Sequence, residues 1–108
     1  MVLTVTPQEA EALIAQGGLD VVDVRGQREW GEGHVPHARS VPLPEVTADP
    51  RAVLPHDGVV FVCAKGVRSL KAAEAAAAAG LERVYSVAGG TAAWRDAGLE
   101  LVSEGGGI

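Results

Sequence analysis

A chain of 108 residues is the length of one domain and leaves no room for a second hydrophobic core. Its 47% hydrophobic content argues against disorder, and no apolar stretch approaches the roughly 20 residues that cross a bilayer. The net charge of −5 speaks against nucleic acid or an anionic membrane as partner, and a single cysteine excludes an internal disulfide and a multi-cysteine metal site.

The opening stretch, Met1 to Pro7, lacks the basic start and long apolar segment of a secretory signal. A cytosolic location is therefore expected, where reducing conditions suit a free thiol. Residues 2–5 read as a short strand. Thr6-Pro7-Gln8-Glu9 has the form of a capping box with proline at the first helical position, which predicts a helix over 7–16 that stops at Gly17-Gly18. Residues 19–24 are mostly apolar and of strand length, the pattern of a buried parallel strand. A helical turn is expected around 28–31 and a small strand near 39–41. Pro42, Pro44, Pro50 and Pro55 break up the middle, which reads as loop with one helical turn.

Residues 59–63 are apolar and mostly β-branched or aromatic, and read as a central strand. Residues 69–79 are rich in alanine, which has the best helix propensity and lets a helix lie close on a sheet. Gly80 is placed to end that helix, with Leu81 set for the accompanying apolar contact. A strand over 84–87, a turn at Gly89-Gly90 and a helix over 91–97 closed by Gly98 complete the pattern. The ordered core is expected to run to about residue 101, with 102–108 as a tail that frays at Gly105-Gly106-Gly107. Strands and helices alternate throughout, so the expected class is α/β, with a mainly parallel central sheet and helices on both faces.

The most informative stretch is Val59-Val60-Phe61-Val62-Cys63-Ala64-Lys65-Gly66-Val67-Arg68-Ser69. A buried strand delivers Cys63 to its C-terminal end, where ligands bind in open α/β sheets. A tight loop follows, with Gly66 free to take conformations that other residues resist. Its successive N–H groups can point inward as an anion-binding nest, and the next helix adds its positive end. From Gly58 to Ala73 the bases Lys65, Arg68 and Lys71 meet no acid, so the acidic average conceals a basic window. These fields favour thiolate over thiol, which suits a nucleophile. The alternative for a lone cysteine at the end of an apolar strand is plain core packing.

Four segments carry a resemblance. They are Asp23-Val24-Arg25, the stretch from Glu29-Trp30 through Gly33-His34-Val35-Pro36-His37-Ala38, the Cys63-to-Ser69 loop, and Gly89-Gly90-Thr91-Ala92-Ala93-Trp94. In this order and spacing the chain resembles the single-domain rhodanese (sulfurtransferase) family over nearly its whole length. The segments are similar to that family's D-x-R, E-[FYW]-x-x-G-H-[IV]-P-G-A, C-x-x-G-x-R-S and G-G-x-x-A-W motifs. His37 stands where the family usually has glycine, a departure that bears on the local turn.

The resemblance implies a two-step sulfur transfer without cofactor or metal. The Cys63 thiolate takes the outer sulfur of a small anionic donor such as thiosulfate, and becomes a persulfide. An external thiol (a small thiol or a thioredoxin-like protein) or cyanide then removes it. Ala64, Lys65, Gly66, Val67, Arg68 and Ser69 are implied as the substrate-binding loop, whose amides stabilise the anionic persulfide. With no second cysteine, the persulfide waits for an outside acceptor. The rival cradle is that of cysteine phosphatases and arsenate reductases. Cysteine phosphatases have a C-x5-R spacing, whereas only four residues separate Cys63 from Arg68. A rhodanese-fold binding module with an inert cysteine is the third reading.

Other residues are read more plainly. Asp23 and Arg25 read either as an ion pair that steadies the loop or as plain strand-end charges, with a supporting role favoured over direct chemistry. His34 reads as hydrogen-bonded scaffold, and His37 and His56 are given no role. The spacing of His34 and His37 has no third ligand to complete a metal site. Trp30 and Trp94 read as packing. No helix shows a heptad seam, and a monomer is expected.

Overall fold

The computed structural model describes residues 2–103. The frayed end expected at Gly105-Gly106-Gly107 lies outside them. In chain order the elements are β1 (Val2–Val5), α1 (Pro7–Ala15), β2 (Asp20–Asp23), α2 (Gln27–Gly31), β3 (Arg39–Ser40), α3 (Leu43–Ala48), α4 (Pro50–Val53), β4 (Val59–Val62), α5 (Val67–Ala78), β5 (Val84–Val87) and α6 (Gly90–Asp96). The strands form one sheet in the order β1-β5-β4-β2-β3, and each neighbouring pair is parallel. No helix among the described residues is long and apolar enough to cross a membrane.

Helix α1 starts where the capping box places it. The Thr6 hydroxyl accepts from the Glu9 amide at 3.1 Å, and the Glu9 carboxylate accepts from the Thr6 amide at 2.8 Å. Two expectations need correction. The middle segment holds two short helices, α3 and α4, not a loop with one turn. Pro44 and Pro50 sit in the first turns of these helices, where a missing N–H costs nothing, and Asp49 caps α4 by accepting from the Ala52 amide. They start helices here rather than breaking them. In addition, α5 begins at Val67, two residues before the expected start at Ser69.

The core lies on both faces of the sheet. Val59 and Phe61 of β4 face the side covered by α3 and α5, together with Val46, Ala72, Ala73 and Ala76. Val60 and Val62 face the side of α1 and α6, with Ala10 and Trp94. All four β4 side chains are fully buried, and at about 1.5–3 kcal/mol for each such side chain the strand that leads to Cys63 is firmly anchored. Alanines on α5 bring its backbone close to this strand. The connections from β2 and β4 leave in opposite directions, β2 toward β3 and β4 toward β5. The gap beyond their C-terminal ends is the switch point where open α/β sheets bind ligands.

Candidate active site

Cys63 follows β4 directly and is 1% exposed. The loop behind it is short, because Gly66 takes φ 101° and caps a helix that begins at the next residue. That φ favours glycine, and a Cβ there would also crowd the Gly89 amide nitrogen at 3.1 Å. The early start of α5 puts Ser69 in its first turn, facing back toward the sulfur. The Gly66 amide donates to Cys63 Sγ at 3.1 Å. Ser69 Oγ lies 3.5 Å from Sγ, where the thiol donates to it and a thiolate accepts from it. Ser69 Oγ is held in turn by Ser86 Oγ of β5 at 2.9 Å.

Burial pushes the Cys63 thiol up. The Ser69 hydroxyl, the Ser69 amide and the amides of Lys65 and Gly66 outweigh that effect, and the thiol ends below its ordinary value. Helix α6 braces the loop from behind. Its Thr91 amide donates to the Cys63 carbonyl at 2.8 Å and its Ala92 amide to the Ala64 carbonyl at 3.1 Å. Gly90 makes this approach possible, since a Cβ there would overlap the backbone of Cys63 and Ala64.

The basic residues of the loop part company. Lys65 is exposed and, among the described residues, belongs to no ion pair. Arg68 instead forks onto Glu29 of α2, with two hydrogen bonds of 2.8 Å. The bonds from Arg68 hold the Glu29 carboxyl down to about 2 against the opposing effect of burial, and the Gly26 amide and the Arg25 charge add to them. Asp23 and Arg25 form a buried ion pair at 2.8 Å, and Arg25 also donates to the Gly33 carbonyl at 2.7 Å. The pair ties the end of β2 to the segment after α2. Lys65, Gly66 and Val67 border a groove of about 390 Å³ that also takes in Ser86, Gly89 and the half-exposed Leu70.

Residues 6–97 match the rhodanese-like domain. The chain belongs to the rhodanese-like family. Thiosulfate sulfurtransferase 18 of Arabidopsis thaliana is 32% identical over 95% of this chain and 85% of its own length. Thiosulfate sulfurtransferase GlpE of Pseudomonas fluorescens is 33% identical over 94% of this chain and 92% of its own length. Among solved structures, a rhodanese-related protein from Thermoplasma volcanium superposes with a TM-score of 0.83 at 24% identity, covering 94% of this chain and 99% of that one, which shows the shared fold. A protein of unknown function from Rhodopseudomonas palustris, described as a possible tyrosine phosphatase, has a TM-score of 0.81 at 35% identity, covering 94% of this chain and 85% of that one.

The rhodanese segment from Glu29 to Ala38 frames the site. The His34 ring stacks on Trp30 at 3.5 Å between centroids, its Nδ1 lies 3.1 Å from the Trp30 carbonyl, and the residue is buried. His34 also exchanges backbone hydrogen bonds of 2.8 Å with Val102, so Val102, placed by sequence in the tail, is tied into the fold. His37 keeps a glycine-like turn at φ 72°, the one positive φ at a non-glycine position among the described residues. Trp94 is buried and donates to the Glu100 carbonyl at 2.8 Å. No cluster of three potential metal ligands occurs among the described residues. Sequence reasoning missed three partners of the loop, namely Glu29, Ser86 and the amides after Gly90. Ser86 leaves a faint signal as the small polar residue in the strand Val84-Tyr85-Ser86-Val87. Glu29 leaves none beyond its place in the motif.

Proposed function

We propose that this rhodanese-like protein is a sulfurtransferase that carries a sulfane sulfur on Cys63. The observation that carries the reading is the Cys63 sulfur itself, buried at the mouth of α5 with the Gly66 amide donating to it at 3.1 Å. Such a sulfur is disposed to ionise, and the same donors suit the anionic outer sulfur of a persulfide. In the first step the Cys63 thiolate bonds to the outer sulfur of thiosulfate. The S–S bond of the donor breaks and its electron pair leaves with sulfite. In the second, an acceptor thiolate or cyanide bonds to that outer sulfur, and the electron pair of the breaking bond returns to Cys63. Charge balances in both steps, and neither needs a cofactor.

The roles follow from position. Cys63 is the nucleophile; Ala64, Lys65, Gly66, Val67, Arg68 and Ser69 form the anion-binding loop; Asp23 and Arg25 support it. Lys65 attracts the donor, while Arg68 serves mainly through its link to Glu29. The groove beside Lys65 and Leu70 offers the acceptor thiol a route to the loop. A free reactive thiol suits a reducing compartment, and we place the protein in the cytoplasm as a monomeric single domain.

Phosphoryl transfer is the weaker reading. A phosphoryl group needs donors around several oxygens. Here the arginine fork is spent on Glu29, and the loop is one residue shorter than C-x5-R. The test is a thiosulfate–cyanide assay run beside an aryl phosphate assay on wild type and Cys63→Ser. Thiocyanate from the wild type alone, with no phosphate release, is the expected result. Phosphate release that depends on Cys63 would replace this reading with the rival one, and inactivity in both assays would leave the binding-module reading.

A further inference from the structure

Where β2 and β4 end, four charged side chains cancel in pairs. Arg25 meets Asp23 at 2.8 Å, and Arg68 meets both oxygens of Glu29 at 2.8 Å. Lys65 alone is left uncompensated on the loop among the described residues. The pairing of Arg68 is specific in geometry. Both terminal nitrogens of the fork donate to one carboxylate, so that edge of the guanidinium is engaged by α2. The Arg68 guanidinium is held above its ordinary value first by Glu29, and the Cys63 charge adds to that effect.

We infer that Glu29 is a positioning residue that sets donor specificity: by engaging Arg68 it withholds a second positive charge from the sulfur site, and so favours singly charged sulfur donors over dianions. The inference rests on the sulfurtransferase reading and names the donor class for that same site. A site of given potential attracts a dianion with twice the energy it gives a monoanion. Thiosulfate carries two negative charges, and an alkyl persulfide such as 2-hydroxyethyl persulfide carries one. With either donor Cys63 bonds to the outer sulfur, the donor S–S bond breaks, and the electron pair leaves with sulfite or with the alkyl thiolate. The ratio of the two rates therefore reads the net charge at the loop, which a merely structural role for Glu29 would not change.

The experiment measures the second-order rate of sulfur uptake by Cys63 at low salt from thiosulfate and from freshly made 2-hydroxyethyl persulfide. Uptake is followed by quenched intact-mass spectrometry on wild type, Glu29→Gln and Glu29→Gln/Arg68→Gln. In Glu29→Gln the uncovered Arg68 charge should raise the thiosulfate rate roughly tenfold and the persulfide rate roughly threefold. The double variant restores the net charge of the wild-type pair, and its thiosulfate-to-persulfide ratio should return to within about twofold of wild type. An unchanged or lowered ratio in Glu29→Gln overturns the inference. Should Glu29→Gln fail to fold, the double variant still decides. A ratio roughly threefold or more below wild type would mean that Arg68 already serves the dianion directly, and would overturn the inference. If the wild type takes sulfur from neither donor, the sulfurtransferase reading falls and this inference with it. Uptake with an unmoved ratio defeats the inference alone.

Discussion

At the scale of the residue, the state of one sulfur is decided by opposing effects. Cys63 is 1% exposed, and burial by itself favours the neutral thiol. Hydrogen bonds from Ser69 and from the loop amides reverse the balance, so the thiolate persists below the pH at which an ordinary thiol ionises. The sign follows: activity should hold as pH falls past the ordinary thiol value and be lost only on passing the lowered one. Ser69→Ala removes the hydroxyl contact and also strands Ser86, and should slow alkylation of Cys63 by iodoacetamide about tenfold at neutral pH. An unchanged alkylation profile would mean the amides suffice. Lys65→Glu reverses the loop's uncompensated charge and should lower kcat/KM for thiosulfate at least about tenfold, with added salt slowing wild type more than the variant. Equal rates at low salt would refute a basic attraction. His37 holds φ 72° at the cost of strain that glycine avoids, partly offset by the freer unfolded chain of glycine. His37→Gly should therefore raise stability by about 0.5 kcal/mol in denaturant unfolding.

At the scale of the element, the loop is a joint product of α5 and α6. The cysteine loop was legible in sequence, because strand, loop and helix are consecutive: Cys63, Lys65, Gly66 and Ser69 lie within seven residues of chain. What was not legible comes from contacts distant in sequence. Arg68 was read as a free cation of the cradle, and only the fold brings Glu29 of α2 to it. Gly89-Gly90 was read as a turn, and only the fold shows the first turn of α6 pressed against the Cys63 carbonyl. Gly90→Ala drives a Cβ into rigid backbone at φ 61° and should cost about 3 kcal/mol or more. Thermal unfolding measures the loss, and a variant as stable as wild type would show that α6 can shift away freely. The prolines of α3 and α4 show the converse. The same residue that ends a helix from within starts one in the first turn, and sequence position alone did not separate the two roles.

At the scale of the whole molecule, the alternation of strand and helix was enough to specify the parallel sheet covered on both faces. Short, β-branched apolar runs such as Val59-Val60-Phe61-Val62 suit a strand buried on both sides. Strand order was not legible, because periodicity says which face a residue takes and nothing about which strand lies beside it. That order puts the end of β2 beside the end of β4, and so builds the Asp23, Arg25, Glu29 and Arg68 cluster from two stretches of chain. The cluster should also mark the acid limit of the site. The Glu29 carboxyl is held at about 2 against an ordinary 4.5, so its pairing supports the fold fully above 4.5 and fades as pH falls toward 2. A carboxyl carbon titration by NMR should place its midpoint near the lower value, and a midpoint near 4.5 would mean that the pair is open in solution.

Carriage of sulfur on Cys63 is tested most directly by intact-mass spectrometry after brief incubation with thiosulfate under non-reducing conditions. The wild-type chain should gain a single sulfur atom, lose it on treatment with cyanide or dithiothreitol, and gain none when Cys63 is replaced by serine. A wild-type mass that stays unchanged, or a sulfur gained equally by Cys63→Ser, would contradict a persulfide on this residue.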